Sequence, residues 1–149
     1  MGKSEYVQYD LLKLAESSNT MIIPNGIFNG NNIASFNISN NEVLKSIVIG
    51  DNCFGKVRVF DLNGLDELES VVIGGNSFRI SRYKERNDGD YRIVNCPRLK
   101  SIQIGKESFD DYHSFELNNL PSLQSIDIGQ SCFYWAPSFS LTGLIDGLV

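Results

Sequence analysis

From residue 20 onward, apolar and polar positions alternate in short bursts, and the bursts return in the same order five times. Ile47-x-Ile49, Val71-x-Ile73, Ile102-x-Ile104 and Ile126-x-Ile128 are period-2 patterns in β-branched residues. Such alternation marks a strand with one buried face. A phenylalanine follows each strand, at Phe28, Phe54, Phe78, Phe109 and Phe133, and is expected to fold back into the interior. A second alternating pair comes next: Phe36-Asn-Ile38, Phe60-Asp-Leu62, Tyr91-Arg-Ile93, Phe115-Glu-Leu117 and Phe139-Ser-Leu141. Leu44, Leu68, Leu99 and Leu123 then precede the next strand. Each unit thus predicts strand, bend, buried Phe, second strand and turn.

The bends are assigned to Gly50, Gly74, Gly105 and Gly129, where a positive φ is cheap without a Cβ. Pro24 takes that place in the first unit. The turns after the second strand are assigned to Asn40, Asn63, Asn95, Asn118 and Thr142.

Equivalent positions fall at 20, 46, 70, 101 and 125, so the steps are 26, 24, 31 and 24 residues. A repeat in the twenties implies a stacked solenoid, because one unit cannot bury its own apolar row. Stacking five units lines the rows into ladders and joins the strands into two short parallel sheets. Each buried aliphatic or aromatic side chain contributes about 1.5–3 kcal/mol. The open ends of such sheets need covering. The predicted fold is a mostly β solenoid of about five coils over residues 20–149.

Residues 1–19 break the pattern. Val7, Leu11, Leu14 and Ala15 share one helical face, so Ser4 to Ser17 is expected to form an N-terminal helical cap. A degraded upstream coil is the alternative. At the other end, 144–149 begin a further turn. An exposed sheet edge, a covering chain or a longer repeat protein would each suit it.

The long third step places extra residues between Phe78 and Tyr91, a stretch with Arg79, Arg82, Lys84 and Arg86. Insertions in solenoids form loops, often on the binding face; a plain solvated loop is the alternative. On the first sheet the outward row is Ile22, Val48, Val72, Gln103 and Asp127. Its three aliphatics would make an exposed strip of the kind that marks an interface, unless they merely suit an exposed strand. The second outward row, Asn37, Asp61, Arg92, Glu116 and Ser140, reads as solvated surface. Trp135, in Phe-Tyr-Trp-Ala-Pro, is a candidate interface anchor. The candidate partner-binding residues are therefore Ile22, Val48, Val72, Arg82, Lys84, Arg86 and Trp135.

Composition narrows the function classes. The 149 residues carry a net charge of −5, which argues against nucleic acid as the partner. No apolar run is long enough to span a membrane, and Met-Gly-Lys-Ser-Glu lacks a signal peptide's apolar core. The myristoylation pattern fails at Tyr6. Cys53 and Cys132 share a repeat position with Ser77 and Ser108, and Cys96 stands where other units carry Leu65 and Leu120. All three are expected as buried, unbridged thiols, which suits a reducing cytoplasm. Asn37-Ile-Ser39 is a glycosylation sequon that arises easily by chance. His113, beside Asp110 and Asp111, is the single histidine and lacks a second cluster for a metal or a triad. With no phosphate loop either, no catalytic residue, metal or cofactor is expected.

Leu123-Gln-Ser-Ile126-Asp-Ile128-Gly129 with Phe133 resembles the BspA-like leucine-rich repeats, in the form common in protists. Ile23-Pro24 with Phe28 keeps the proline typical of that family at the strand end. Gly in place of Pro in four units, and the Phe-x-Leu second strand, depart from it. The resemblance covers residues 20–144. It implies a non-catalytic module for adhesion, scaffolding or recognition of proteins. A self-assembling structural protomer, or a regulatory domain of a larger assembly, are the competing expectations.

Overall fold

The computed structural model describes residues 18–30, 33–79, 89–134, 136 and 138–144. Ten strands alternate between two five-stranded parallel sheets. The first sheet holds β1 (Thr20–Ile23), β3 (Ser46–Ile49), β5 (Ser70–Ile73), β7 (Ser101–Ile104) and β9 (Ser125–Ile128), side by side in that order. The second holds β2 (Ser35–Ser39), β4 (Val59–Asn63), β6 (Gly89–Val94), β8 (Tyr112–Asn118) and β10 (Ser138–Thr142), also in sequence order. Each coil gives one strand to each sheet, so the chain is a β-solenoid of five coils. No helix occurs among the described residues. The helical cap expected over Ser4 to Ser17 lies outside them.

Equivalent residues stack in register. Thr20, Ser46, Ser70, Ser101 and Ser125 pair in series, as do Ile22, Val48, Val72, Gln103 and Asp127. The alternation read from the sequence is the alternation of burial: Ile47, Ile49, Val71, Ile73, Ile102 and Ile104 are all sealed in the core. Two aromatic columns run between the sheets. Phe28, Phe54, Phe78, Phe109 and Phe133 stack at 5.2, 4.9, 4.7 and 5.2 Å between ring centroids. Phe36, Phe60, Tyr91, Phe115 and Phe139 form the second column at 5.2, 4.8, 5.0 and 5.0 Å. The columns meet edge to face, as in Phe60–Phe78 and Tyr91–Phe109, the geometry the ring quadrupoles favour.

Three backbone positions per coil are left-handed, and they are not the bend glycines. One is Gly26, Asn52, Asn76, Glu107 and Ser131; the next is the column-forming Phe itself, with φ from 53° to 62°. The third follows the second strand: Asn40, Gly64, Asn95, Asn119 and Gly143. Asn and Gly tolerate this conformation, whereas for a bulky residue it costs about 1–2 kcal/mol. Burying the ring, at about 1.5–3 kcal/mol, outweighs that strain. The third position also corrects the predicted turn by one residue in three coils, since Asn63, Asn118 and Thr142 end their strands instead.

Gly50, Gly74, Gly105 and Gly129 keep ordinary φ and are required for a different reason. A Cβ on Gly74 would lie 2.6 Å from the carbonyl carbon of Gly50, and one on Gly129 would lie 2.7 Å from the nitrogen of Lys106. The backbones of successive coils touch there, and any side chain would separate them.

Side chains tie coil to coil. The Oγ of Ser77 and Ser108 donate to the carbonyls of Gly50 and Gly74 at 2.8 and 2.7 Å. Cys53 and Cys132 do the same through Sγ, to Pro24 and Gly105 at 3.1 and 3.0 Å. This position thus requires a small donor, which explains why serine and cysteine interchange there. The Asn119 amide donates to Asn95 Oδ1, and the Asn95 amide to Asn63 Oδ1, in a short ladder along one corner. The insertion leaves the third coil between Arg79 and Gly89. There Tyr112, from the fourth coil, lies against Gly89 and donates its hydroxyl to the Val57 carbonyl of the second coil at 2.6 Å.

Candidate interaction surface

The first-sheet strip exists as a contiguous row. Ile22, Val48 and Val72 are Cα partners in series on β1, β3 and β5, all facing outward. Ile22 is 63% and Val48 36% exposed, and Val72 is half-buried. Gln103 and Asp127 continue the row as exposed polar residues. The strip is flanked on one side by the Thr20–Ser46–Ser70 row, in which Ser46 Oγ donates to Thr20 Oγ1 at 3.3 Å. On the other side Pro24, Gly50 and Gly74 present little side chain. The result is an aliphatic ridge with a hydroxyl border at the N-terminal half of the sheet.

The remaining candidates, Arg82, Lys84, Arg86 and Trp135, lie outside the described residues. The root of the insertion that carries Arg82, Lys84 and Arg86 is described, and it is acidic on the facing coil. Arg79 pairs with Glu107 at 3.2 Å and with the mostly buried Asp110 at 3.6 Å. The first cation of the insertion is therefore committed to the fourth coil.

The second-sheet row is more organised than a plain solvated surface. Arg92 lies between Asp61, at 3.4 Å, and Glu116, at 3.2 Å, one coil to either side. Beside it Ser114 Oγ donates to Asp90 Oδ1 at 2.7 Å. A shallow hollow opens here, lined by Val59, Asp61, Asp90, Arg92, Ser114 and Glu116. These pairs are half-buried at the surface, where solvent still screens them, and surface pairs contribute only about 0–1 kcal/mol each. Alternation places Asp61, Arg92 and Glu116 in one outward row that reads as plain solvated surface, whereas the coil step brings these opposite charges, 31 and 24 residues apart, into contact.

His113 is exposed on β8 rather than in a loop, while Asp111 is buried and Asp110 nearly so. Among the described residues no group of three or more His, Cys, Asp or Glu is placed to hold a metal ion. All three cysteines are free; Cys53 and Cys96 are buried, and Cys132, in the last coil, is half-buried. Burial pushes the Cys96 and Cys132 thiols up, away from the reactive thiolate. Among the described residues no helix is long and apolar enough to cross a membrane.

One further surface was only partly legible in the sequence. In the last coil Phe139, Leu141 and Tyr134 are exposed, and Ile126 and Ile128 are only partly covered. Comparison with protein-family models, with curated proteins and with solved structures finds no match for this chain.

Proposed function

We propose that this β-solenoid is a non-catalytic, leucine-rich-repeat-type protein-binding module whose contact surface is the Ile22–Val48–Val72 strip. One observation carries the reading: three aliphatic side chains stand adjacent and outward on a rigid sheet, bordered by hydroxyl groups. Scattered exposed aliphatics are ordinary, but a row fixed by strand register is a preorganised apolar contact. Its complement is a partner with an apolar edge and hydroxyl or amide groups beside it. The BspA-like resemblance supports the same class, scaffolding or recognition, with no cofactor and no nucleic acid. The cysteines, two of them buried, accord with a cytoplasmic setting. A regulatory domain within a larger assembly would use the same strip.

The test is affinity capture from the source cell with wild type and a Val48→Lys, Val72→Lys double variant in parallel. Both side chains face outward, so the variant is expected to melt like wild type. A partner held by wild type and lost by the variant, through faster dissociation, supports the strip. Equal capture by both proteins contradicts it.

A further inference from the structure

We propose that Asn29 is a self-modification site: of three Asn-Gly pairs in the chain, the fold leaves Asn29-Gly30 as the one that deamidates. The others are Asn25-Gly26 and Asn63-Gly64. The reaction needs no enzyme and no reactant but water. The glycine backbone nitrogen attacks the asparagine Cγ, forms an N–Cγ bond and gives up its proton. The Cγ–Nδ2 bond breaks, and the nitrogen leaves as ammonia with that proton. Water then opens the five-membered imide at either carbonyl, leaving aspartate or isoaspartate. Nothing is oxidised or reduced. Glycine favours the attack because it has no Cβ in the way and reaches backbone conformations closed to other residues.

The three pairs differ in what holds the attacking nitrogen. The Gly26 amide donates to the Asp51 carbonyl at 2.8 Å, and the Gly64 amide to the Val94 carbonyl at 3.1 Å. These two glycines are fixed in the left-handed region, at φ of 76° and 73°. Each nitrogen is bound to the next coil, so attack requires local opening of the stack. Gly30 is exposed, and its amide makes no hydrogen bond among the described residues. Its nitrogen can approach Cγ with the coils in place.

The Asn29 side chain is held as an electrophile. Its Oδ1 accepts from the Gly55 N–H at 2.6 Å, and its Nδ2 donates to the Asn52 carbonyl at 2.9 Å. Attack puts negative charge on Oδ1, and a backbone donor already aimed at that oxygen stabilises it. Asn25 Oδ1 accepts likewise from the Asp51 N–H at 2.8 Å, and Asn63 Oδ1 from the Asn95 amide at 3.1 Å. A polarised carbonyl is therefore common to all three pairs, and the unbound glycine nitrogen singles out Asn29.

Conversion breaks a tie between coils. Oxygen in place of Nδ2 sets an acceptor against the Asn52 carbonyl, and that bond is lost. Isoaspartate also lengthens the backbone directly after Phe28, whose ring stacks on Phe54 at 5.2 Å. Deamidation at Asn29 thus loosens the first coil with age. At Asn25 it would be benign, because Asp51 already accepts from the Gly75 N–H at 2.9 Å as a carboxylate. The inference is independent of the aliphatic strip.

The experiment is peptide mapping by mass spectrometry of the full chain, aged for weeks at mildly alkaline pH, folded and in parallel in urea. In the folded protein the Asn29 peptide should convert to acid several-fold faster than the Asn25 and Asn63 peptides. In urea the three should convert at similar rates, because each is then a free Asn-Gly pair. Gly30→Ala should remove most of the Asn29 conversion, and Asn29→Asp should speed amide exchange in β1 while leaving β7 unchanged. Asn25 or Asn63 converting first in the folded protein, no conversion at Asn29, or the same order of rates in urea would each overturn the proposal.

Discussion

The hydroxyl of Tyr112 donates to the carbonyl of Val57 at 2.6 Å, across the whole thickness of the coil between them. Val57 and Ala136 hold the equivalent corner position in the second and fifth coils, and Tyr112 holds it in the fourth. The Tyr112 ring fills the corner and presses on Gly89, where a Cβ would lie 2.6 Å from the ring. Sequence, packing and stability meet here: an aromatic in one coil, a glycine in the next, and a buried carbonyl two coils away.

Tyr112→Phe should therefore destabilise the protein by about 1–3 kcal/mol, the cost of leaving a buried acceptor unpaired. Gly89→Ala should destabilise as well, and less so in a Tyr112→Ala background where the ring is gone. Denaturant melts of the four proteins form a double-mutant cycle. Additive losses would mean the two residues do not press on one another.

Tyr91 is the converse case. It is the one tyrosine in the column of Phe36, Phe60, Phe115 and Phe139, and its hydroxyl is buried with no hydrogen-bond partner among the described residues. Tyr91→Phe should stabilise by about 1 kcal/mol and raise the melting temperature by several degrees. A lower melting temperature would show that the hydroxyl has a partner.

The same burial sets a pH dependence. Desolvation pushes the Tyr91 phenol far up from its ordinary value near 10, and pushes the Cys96 and Cys132 thiols up from 9.0. These groups stay neutral when folded but ionise once unfolded. Their contribution is fully present below the unfolded pKa and is lost as pH rises towards the folded one. Stability from these groups should be flat through neutral pH and fall above about pH 9. Tyr91→Phe should flatten the part of the fall that begins near the phenol's ordinary range, as read by urea midpoints. An unchanged slope would contradict the phenol's share.

Phe109 and His113 lie four residues apart in the chain and in opposite environments. The Phe109 ring is fully buried between Phe78 and Phe133, at 4.7 and 5.2 Å, while His113 is exposed. Phe109→Ala should cost about 3–5 kcal/mol, and His113→Ala should be close to neutral. Equal melting temperatures would contradict the placement of the aromatic column.

Thiol labelling reads the donor ladder. Cys132, half-buried, should react before the buried Cys53 and Cys96, and unfolding should expose all three. Cys53→Ser should be close to neutral, because Ser77 and Ser108 bond the preceding coil in the same way. Cys53→Val keeps the size but removes the donor, and should cost about 1–3 kcal/mol. Equal stability of the two variants would contradict a donor role.

The parts of the fold legible in the sequence are those set by burial alone. Ile47-x-Ile49 and Phe60-x-Leu62 declare their strands and inward faces because the period of a strand is two. The rest depended on neighbours 24 to 31 residues away. Gly50 and Gly74 looked like bends with positive φ, whereas they are points where backbones of successive coils touch. The left-handed backbone of Phe54 and Phe78 ran against the preference of a bulky residue, since only a column of buried rings makes it worthwhile. Asp61, Arg92 and Glu116 fell in one outward row by alternation, but that Arg92 pairs with both was not legible, since side-chain reach across the sheet is not a pattern in the chain. For the candidate surface, the outward row Ile22, Val48, Val72, Gln103 and Asp127 was readable from alternation. The exposure of Phe139 was not, because its own pattern matches that of the buried Phe36, Phe60 and Phe115.

Every surface described above depends on five coils stacking in one register. The most direct test is the distance between spin labels at Ile22 and Asp127, the two ends of one outward row. The labels would be placed in a Cys53→Ser, Cys96→Leu, Cys132→Ser background, each replacement matching the residue other coils carry. Four strand spacings of about 4.8 Å put the two backbones about 19 Å apart. A narrow distribution near that value, allowing for the label arms, is the expected result. A broad distribution, or one centred beyond twice that distance, would contradict the in-register stack.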